Sequence, residues 1–129
     1  MAHILLVDDD EDLIEINKMV LARRGHTVTV AYSAEEARQR AQANPPDAAV
    51  LDIVMEDIAV GFDLARHLHE QYPQLQIIVL TGIRREMRPG FDLEPMERGL
   101  AGVKFLEKPV KPRVLVDEVE KLLAAKQAV

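Results

Sequence analysis

Residues 4–10 read Ile-Leu-Leu-Val-Asp-Asp-Asp, and this stretch decides the fold. A short unbroken apolar run is the pattern of a strand buried on both faces. It ends on three carboxylates. The same form recurs along the chain, with Ala48 to Leu51 followed by Asp52 and Ile77 to Leu80 by Thr81, while Val103 to Leu106, interrupted by Lys104, leads to Lys108. If these runs are parallel strands, their polar ends meet at one edge of one sheet, where open α/β sheets build ligand sites. Carboxylates, a hydroxyl and an ammonium gathered there suit a divalent metal and a phosphoryl group.

Between the runs lie helical patterns. Leu13, Ile16 and Val20 recur at spacings of three and four, and Gly25 closes that segment. Thr27 to Ala31 alternates with β-branched residues and reads as a further strand, second in chain order. Ser33 and Glu36 form a capping-box pattern that opens an alanine-rich helix to about Asn44, stopped by Pro45 and Pro46. Leu64, Ala65, Leu68 and Tyr72 mark the buried stripe of the next helix, ahead of Pro73, and Leu115, Val119 and Leu122 that of the last, with Pro112 in its first turn. Strand and helix alternate five times, so the expected class is α/β, a parallel sheet covered on both faces. Residues 1–129 read as a single domain with no repeat, linker or low-complexity segment.

Composition removes other classes. With no cysteine there are no disulfides and no thiolate chemistry. A net charge of -6 and no Trp argue against nucleic acid as a direct partner, since phosphate backbones call for clustered Lys and Arg and bases for aromatic platforms. No apolar run approaches the ~20 residues that cross a bilayer, and no cationic leader precedes the first strand, so a cytoplasmic protein without membrane insertion is expected. His67 and His69, two apart on a helix, face different directions and make a poor metal pair; all four histidines read as structural or exposed. Met19 and Met55 read as core or edge packing.

Taken together, Ile-Leu-Leu-Val-Asp-Asp-Asp at 4–10, Leu-Asp-Ile at 51–53, Leu-Thr-Gly at 80–82 and Glu-Lys-Pro-Val at 107–110 resemble the receiver domain of bacterial two-component response regulators, over essentially the whole chain. Taken singly, each of these residues also reads as an ordinary strand-end acid, turn hydroxyl or surface lysine, and Asp10 as a helix cap; the ordered set favours a site. The resemblance implies a flavodoxin-like doubly wound sheet in the order 2-1-3-4-5, which brings Asp8, Asp9 and Asp52 together. It also implies roles: Asp52 the phosphoacceptor, Asp9 a direct metal ligand with Asp8 assisting, the backbone carbonyl of Val54 a further ligand, and Mg²⁺ the metal with Mn²⁺ as an alternative. Lys108 would pair with a phosphoryl oxygen, the bond to Pro109 would be cis, and Thr81 would donate to the phosphoryl group and bias a conformational equilibrium. Phe105 stands where an aromatic switch residue is expected, and it reads equally as a switch by packing or as a fixed core ring. The implied phosphodonor is a histidine kinase or histidine phosphotransfer protein, and the output is altered binding to a downstream protein, with homodimerisation left open.

The chain also departs from that pattern. Receivers usually carry a proline four residues after the phosphoacceptor and a glycine eight after it, whereas here Glu56 takes the first place and Gly61 lies nine after Asp52, so the loop holds one extra residue. Glu56 and Asp57 add negative charge, which could tighten cation binding or repel phosphodonors. Val54, apolar where many relatives carry a water-orienting side chain, implies slow self-dephosphorylation. The stretch from Thr81 to Lys108 is longer than usual and includes Arg84, Arg85, Arg88, Pro89, Gly90 and Pro95, so the helix between the fourth and fifth strands is expected to be remodelled. Two rivals stand beside the phosphoacceptor reading. A phosphorylation-independent interaction module is motivated by Glu56, and an aspartate-nucleophile phosphohydrolase would want an acid two residues after its nucleophile, where Val54 stands. The expected protein is therefore a signalling phosphoacceptor rather than an enzyme.

Overall fold

The computed structural model describes residues 2–52, 58–81 and 103–127. Their elements in chain order are β1 (His3–Val7), α1 (Glu11–Arg23), β2 (Thr27–Ala31), α2 (Ala34–Ala43), β3 (Ala48–Asp52), α3 (Ile58–Gln71), β4 (Gln76–Thr81), β5 (Lys104–Glu107) and α4 (Pro112–Gln127). The strands form one parallel sheet in the order β2-β1-β3-β4-β5. The departures expected at Val54, Met55, Glu56 and Asp57, and in the arginine-rich stretch with Pro89 and Pro95, fall outside the described residues.

Alternation along the strands divides the core into two layers. Leu5, Val7, Ala49, Leu51, Ile77 and Val79 face α2 and α3, meeting Ala37, Ala41, Phe62, Leu64 and Leu68. Ile4, Leu6, Ala48, Val50, Ile78 and Leu80 face the other way, against Leu21 of α1 and Leu115, Val116 and Val119 of α4. Both faces of β3 are buried throughout, which is why its sequence is continuously apolar until Asp52. Alanines on α2 let that helix approach the sheet closely; a larger residue at the fully buried Ala41 would cost ~1–3 kcal/mol by overpacking.

Helix ends follow local chemistry. Asp10 caps α1, its side chain accepting from the N–H groups of Asp12 and Leu13. Past the end of that helix, Gly25 takes φ 89°, a left-handed value that costs glycine nothing. Ser33 caps α2 by accepting from Glu36 N–H at 3.1 Å, while the Glu36 carboxylate lies 3.8 Å from Arg40.

One expected stripe is corrected. In α1 the core positions are Ile14 and Leu21, whereas Leu13, Ile16 and Met19 are exposed and Val20 is half-buried. The spacing 13, 16, 20 is a good helical stripe, but the face turned to the sheet is 14, 17, 21. Its middle residue is Asn17, half-buried, which hides the true stripe from an apolar-pattern reading. In α4, Leu123 rather than Leu122 completes the buried face.

Candidate functional site

Strand register builds the site. Val7 pairs with Leu51, so Asp8 emerges beside Asp52 on the neighbouring strand. Asp52 pairs with Leu80, which places Thr81 one residue further out, and Thr81 pairs with Glu107, which delivers Lys108 next to it. Strands about 4.8 Å apart thus line up four polar residues along one edge. The edge is tied by two backbone bonds: Asp8 N–H donates to Ala31 O at 3.1 Å, and Lys108 N–H donates to Thr81 O at 2.7 Å.

Asp8, Asp52 and Thr81 are buried, at 6%, 4% and 5% exposure, while Asp9 is exposed and Lys108 half-buried. Lys108 Nζ lies 2.6 Å from Asp52 Oδ2 and 3.9 Å from Asp8 Oδ2. Ligand oxygens of Asp8, Asp9 and Asp52 can be chosen that all lie within 4.8 Å of one another. Burial, then the negative charge of Asp52, pushes the Asp8 carboxyl up from 3.8 to about 6, against the opposing pull of the Asp10 N–H, which donates to Asp8 Oδ1 at 3.0 Å, and of Lys108. For Lys108, burial would lower the ammonium's pKa, but the hydrogen bond and charge of Asp52, with Asp8 and Asp10 behind them, raise it above the ordinary lysine value. The pocket therefore concentrates negative charge that one ammonium only partly offsets.

The donor set fits a hard divalent cation. Three carboxylates on one concave edge, two of them buried, match the oxygen ligands that Mg²⁺ takes while keeping some of its waters. Thr81 sits on the same edge, and the Lys108–Pro109 peptide bond is cis. Val54 lies outside the described residues. Phe105 is half-buried and packs on the α2/α3 side of the sheet, its ring 6.4 Å from that of Phe62 at an interplanar angle of 33°. Two features escaped the sequence reading: the Asp10 backbone N–H that steadies Asp8, and the reach of Lys108 to both buried acids. Each arises from a local turn or a cross-strand distance that no spacing encodes.

Such a sheet, with acids at the carboxyl ends of its central strands and a lysine just past the edge strand β5, defines a flavodoxin-like α/β protein with an acidic, cation-ready switch-point site. Residues 4–120 match the response regulator receiver domain family. The response regulator receiver protein CpdR of Brucella abortus is 34% identical over 125 residues, covering 97% of this chain and 99% of the relative. The response regulator SaeR of Staphylococcus aureus is 31% identical over 123 residues, 95% of this chain and 51% of that protein. The chain thus spans nearly all of the first relative and about half of the second. Among solved structures, the receiver domain of NtrX from Brucella abortus is 26% identical with a TM-score of 0.77, covering 94% of this chain and 98% of that one. A CheY-like receiver domain protein from Methanospirillum hungatei shares the fold at a TM-score of 0.87 and 24% identity, over 99% and 98% of the two chains.

The chain belongs to the response regulator receiver domain family, the receiver modules of two-component signalling. Such domains are signalling modules rather than classical enzymes, they interact with histidine kinases or phosphotransfer proteins, and they bind Mg²⁺ at an acidic pocket. No described helix is long and apolar enough to cross a membrane.

Proposed function

We propose that this chain, as one receiver unit, accepts a phosphoryl group on Asp52 from a histidine kinase or histidine phosphotransfer protein and thereby changes its binding to a downstream partner. The observation that carries this reading is the meeting of Asp8, Asp9 and Asp52 with the Lys108 ammonium 2.6 Å from Asp52. Asp52 supplies the attacking carboxylate oxygen. As its bond to phosphorus forms, the bond from phosphorus to the donor imidazole nitrogen breaks, and that nitrogen keeps the electron pair. Asp8 and Asp9, with Asp52 and the Val54 carbonyl, would hold Mg²⁺, which when bound offsets the charge of carboxylates and phosphoryl oxygens. Lys108 exchanges its carboxylate partner for a phosphoryl oxygen, so part of the charge compensation is in place before transfer. The Thr81 hydroxyl gains an acceptor only in the phosphorylated state, which lets it bias a two-state equilibrium. Assistance to its own phosphorylation and hydrolysis, and a cytoplasmic setting, belong to the same reading.

The test is intact mass after incubation with Mg²⁺ and acetyl phosphate, with Asp52→Asn and metal-free samples alongside. One added phosphoryl group that requires both Asp52 and metal is expected. No addition, even from a phosphohistidine donor, would replace this reading with a phosphorylation-independent interaction module.

A further inference from the structure

The amino edge of the sheet, opposite the acids, carries a charged cluster that the site does not use. Arg24, just past the end of α1, donates to Glu120 of α4 and lies 3.5 Å from Asp117 of the same helix. His26 stands between this cluster and the residue that precedes β1. Its Nδ1 accepts the Ala2 N–H at 3.2 Å, and its Nε2 lies 3.3 Å from the Glu120 carboxylate oxygen that Arg24 leaves open. The His26 side chain is only 8% exposed, so water does not readily replace either bond. A backbone N–H can only donate, which makes Nδ1 the bare nitrogen and Nε2 the one whose proton goes to Glu120. The neutral ring is matched on both sides. A second proton must go to Nδ1, where it would face the Ala2 N–H, donor against donor. The bond to Ala2 then opens, while the bond to Glu120 becomes one between unlike charges and strengthens. The surrounding charges favour this exchange: Glu120 and Asp117 of α4 face the one cation Arg24, and an imidazolium makes the balance even. On β1 the neighbouring titratable group, His3, bonds Thr29 Oγ1 through its Nε2 at 2.6 Å instead.

We propose that His26 is a proton-operated latch: on taking up a proton it lets go of Ala2, ahead of β1, and tightens its hold on α4. Histidine is the side chain whose charge ordinarily changes between pH 5 and 8, so the device works in the physiological range. The opening stops at Ala2, because the next donor, His3 N–H, is held by the Asp47 carboxylate at 2.8 Å, and Asp47 N–H returns to His3 O at 2.8 Å. The tightening falls on the seam between α1 and α4. At their other ends these helices lead to the two poles of the acidic site: α1 starts at Asp10, whose N–H holds Asp8, and α4 starts shortly after Lys108. The proton thus acts on the two helices that flank the acids, by a route that needs no phosphoryl group on Asp52.

The experiment is NMR of the full, metal-free chain titrated from pH 8 to pH 5, with His26→Gln and Glu120→Gln alongside. At pH 8 the His26 ring nitrogens should report a bare Nδ1 and a protonated Nε2. As the ring takes up its second proton, the Ala2 amide signal should move with the same midpoint. Corrected for intrinsic rates, exchange protection of that amide should fall roughly three- to tenfold, the worth of one hydrogen bond. The amides of Val119, Glu120 and Lys121 should gain protection by roughly two- to fivefold over the same range, the scale of a partly exposed ion pair. In His26→Gln, which has no proton to gain, both responses should vanish, and any contribution from the acids at the far edge stays behind to be subtracted. In Glu120→Gln, Ala2 should still open while the gain in α4 is lost. A ring protonated on Nδ1 at pH 8, an Ala2 amide that ignores the His26 midpoint, an unchanged response in His26→Gln, or an α4 gain that survives Glu120→Gln would each overturn the latch. The wild-type titration decides even where a variant fails to fold.

Discussion

Replacing Asp8 by Asn should stabilise the metal-free protein at neutral pH. Burial, reinforced by the Asp52 charge, lifts the Asp8 carboxyl from 3.8 to about 6, so the folded state holds this proton to higher pH than the unfolded chain does. Between those two values the folded state binds more protons, and stability falls as pH rises through the window. A lift from 3.8 to about 6 corresponds to ~3 kcal/mol once the group is ionised in both states. That lift already includes the opposing attraction of Lys108 at 3.9 Å, and solvent screening reduces what the substitution recovers to ~1–2 kcal/mol. Asn keeps an oxygen for the Asp10 N–H, so the turn survives. With ~2 cal/mol/K of unfolding entropy per residue over 129 residues, the gain is a melting temperature ~4–7 °C higher. The assay is thermal unfolding with EDTA at pH 7, pH 5 and pH 3.5. The advantage of Asp8→Asn should be largest at pH 7, about half as large at pH 5 and gone at pH 3.5. Adding Mg²⁺ should favour wild type instead, because a ligand that binds only the folded state stabilises it by mass action. A variant that melts at or below wild type in EDTA at pH 7, or whose advantage ignores pH, would refute the account of a pocket strained by its own acids.

Lys108→Gln should have the opposite sign, costing ~1–3 kcal/mol in urea unfolding with EDTA because Asp8 and Asp52 lose their shared cation; a smaller penalty in Mg²⁺ is expected, and equal penalties would count against the charge argument. Since Mg²⁺ needs Asp8 ionised, calorimetric Mg²⁺ affinity should drop by about tenfold per pH unit below pH 6 and level off above it; a flat profile would remove Asp8 from the ligand set. Ser33→Ala, which touches none of the three acids, should cost ~1 kcal/mol through the lost cap on Glu36 N–H while leaving Mg²⁺ affinity unchanged. Val54→Asn should shorten the lifetime of the phosphorylated state by ~10-fold or more by supplying a group that orients water, as followed by loss of the mass adduct; an unchanged lifetime would end that reading.

What the chain states on its own is set by short-range rules. Apolar runs ending in polar residues specify β1, β3 and β4, because a strand covered on both faces must be continuously apolar and must stop where charge begins, while β2 is marked by its alternation with β-branched residues. Ser33, Asp10 and Gly25 announce their caps and turn for equally local reasons. The strand ends singled out Asp8, Asp9, Asp52, Thr81 and Lys108, and the family resemblance implied their roles. The buried face of α1 was not legible, since Leu13, Ile16 and Val20 make as good a stripe as Ile14, Asn17 and Leu21, and only the approach of the sheet chooses between them. Nor could spacing reveal that Lys108 reaches both buried acids, that Asp8 holds its proton to about pH 6, or that Phe62 meets Phe105. Those facts depend on strand register and on desolvation, which arise only when residues far apart in the chain are brought within a few ångströms and water is removed from between them.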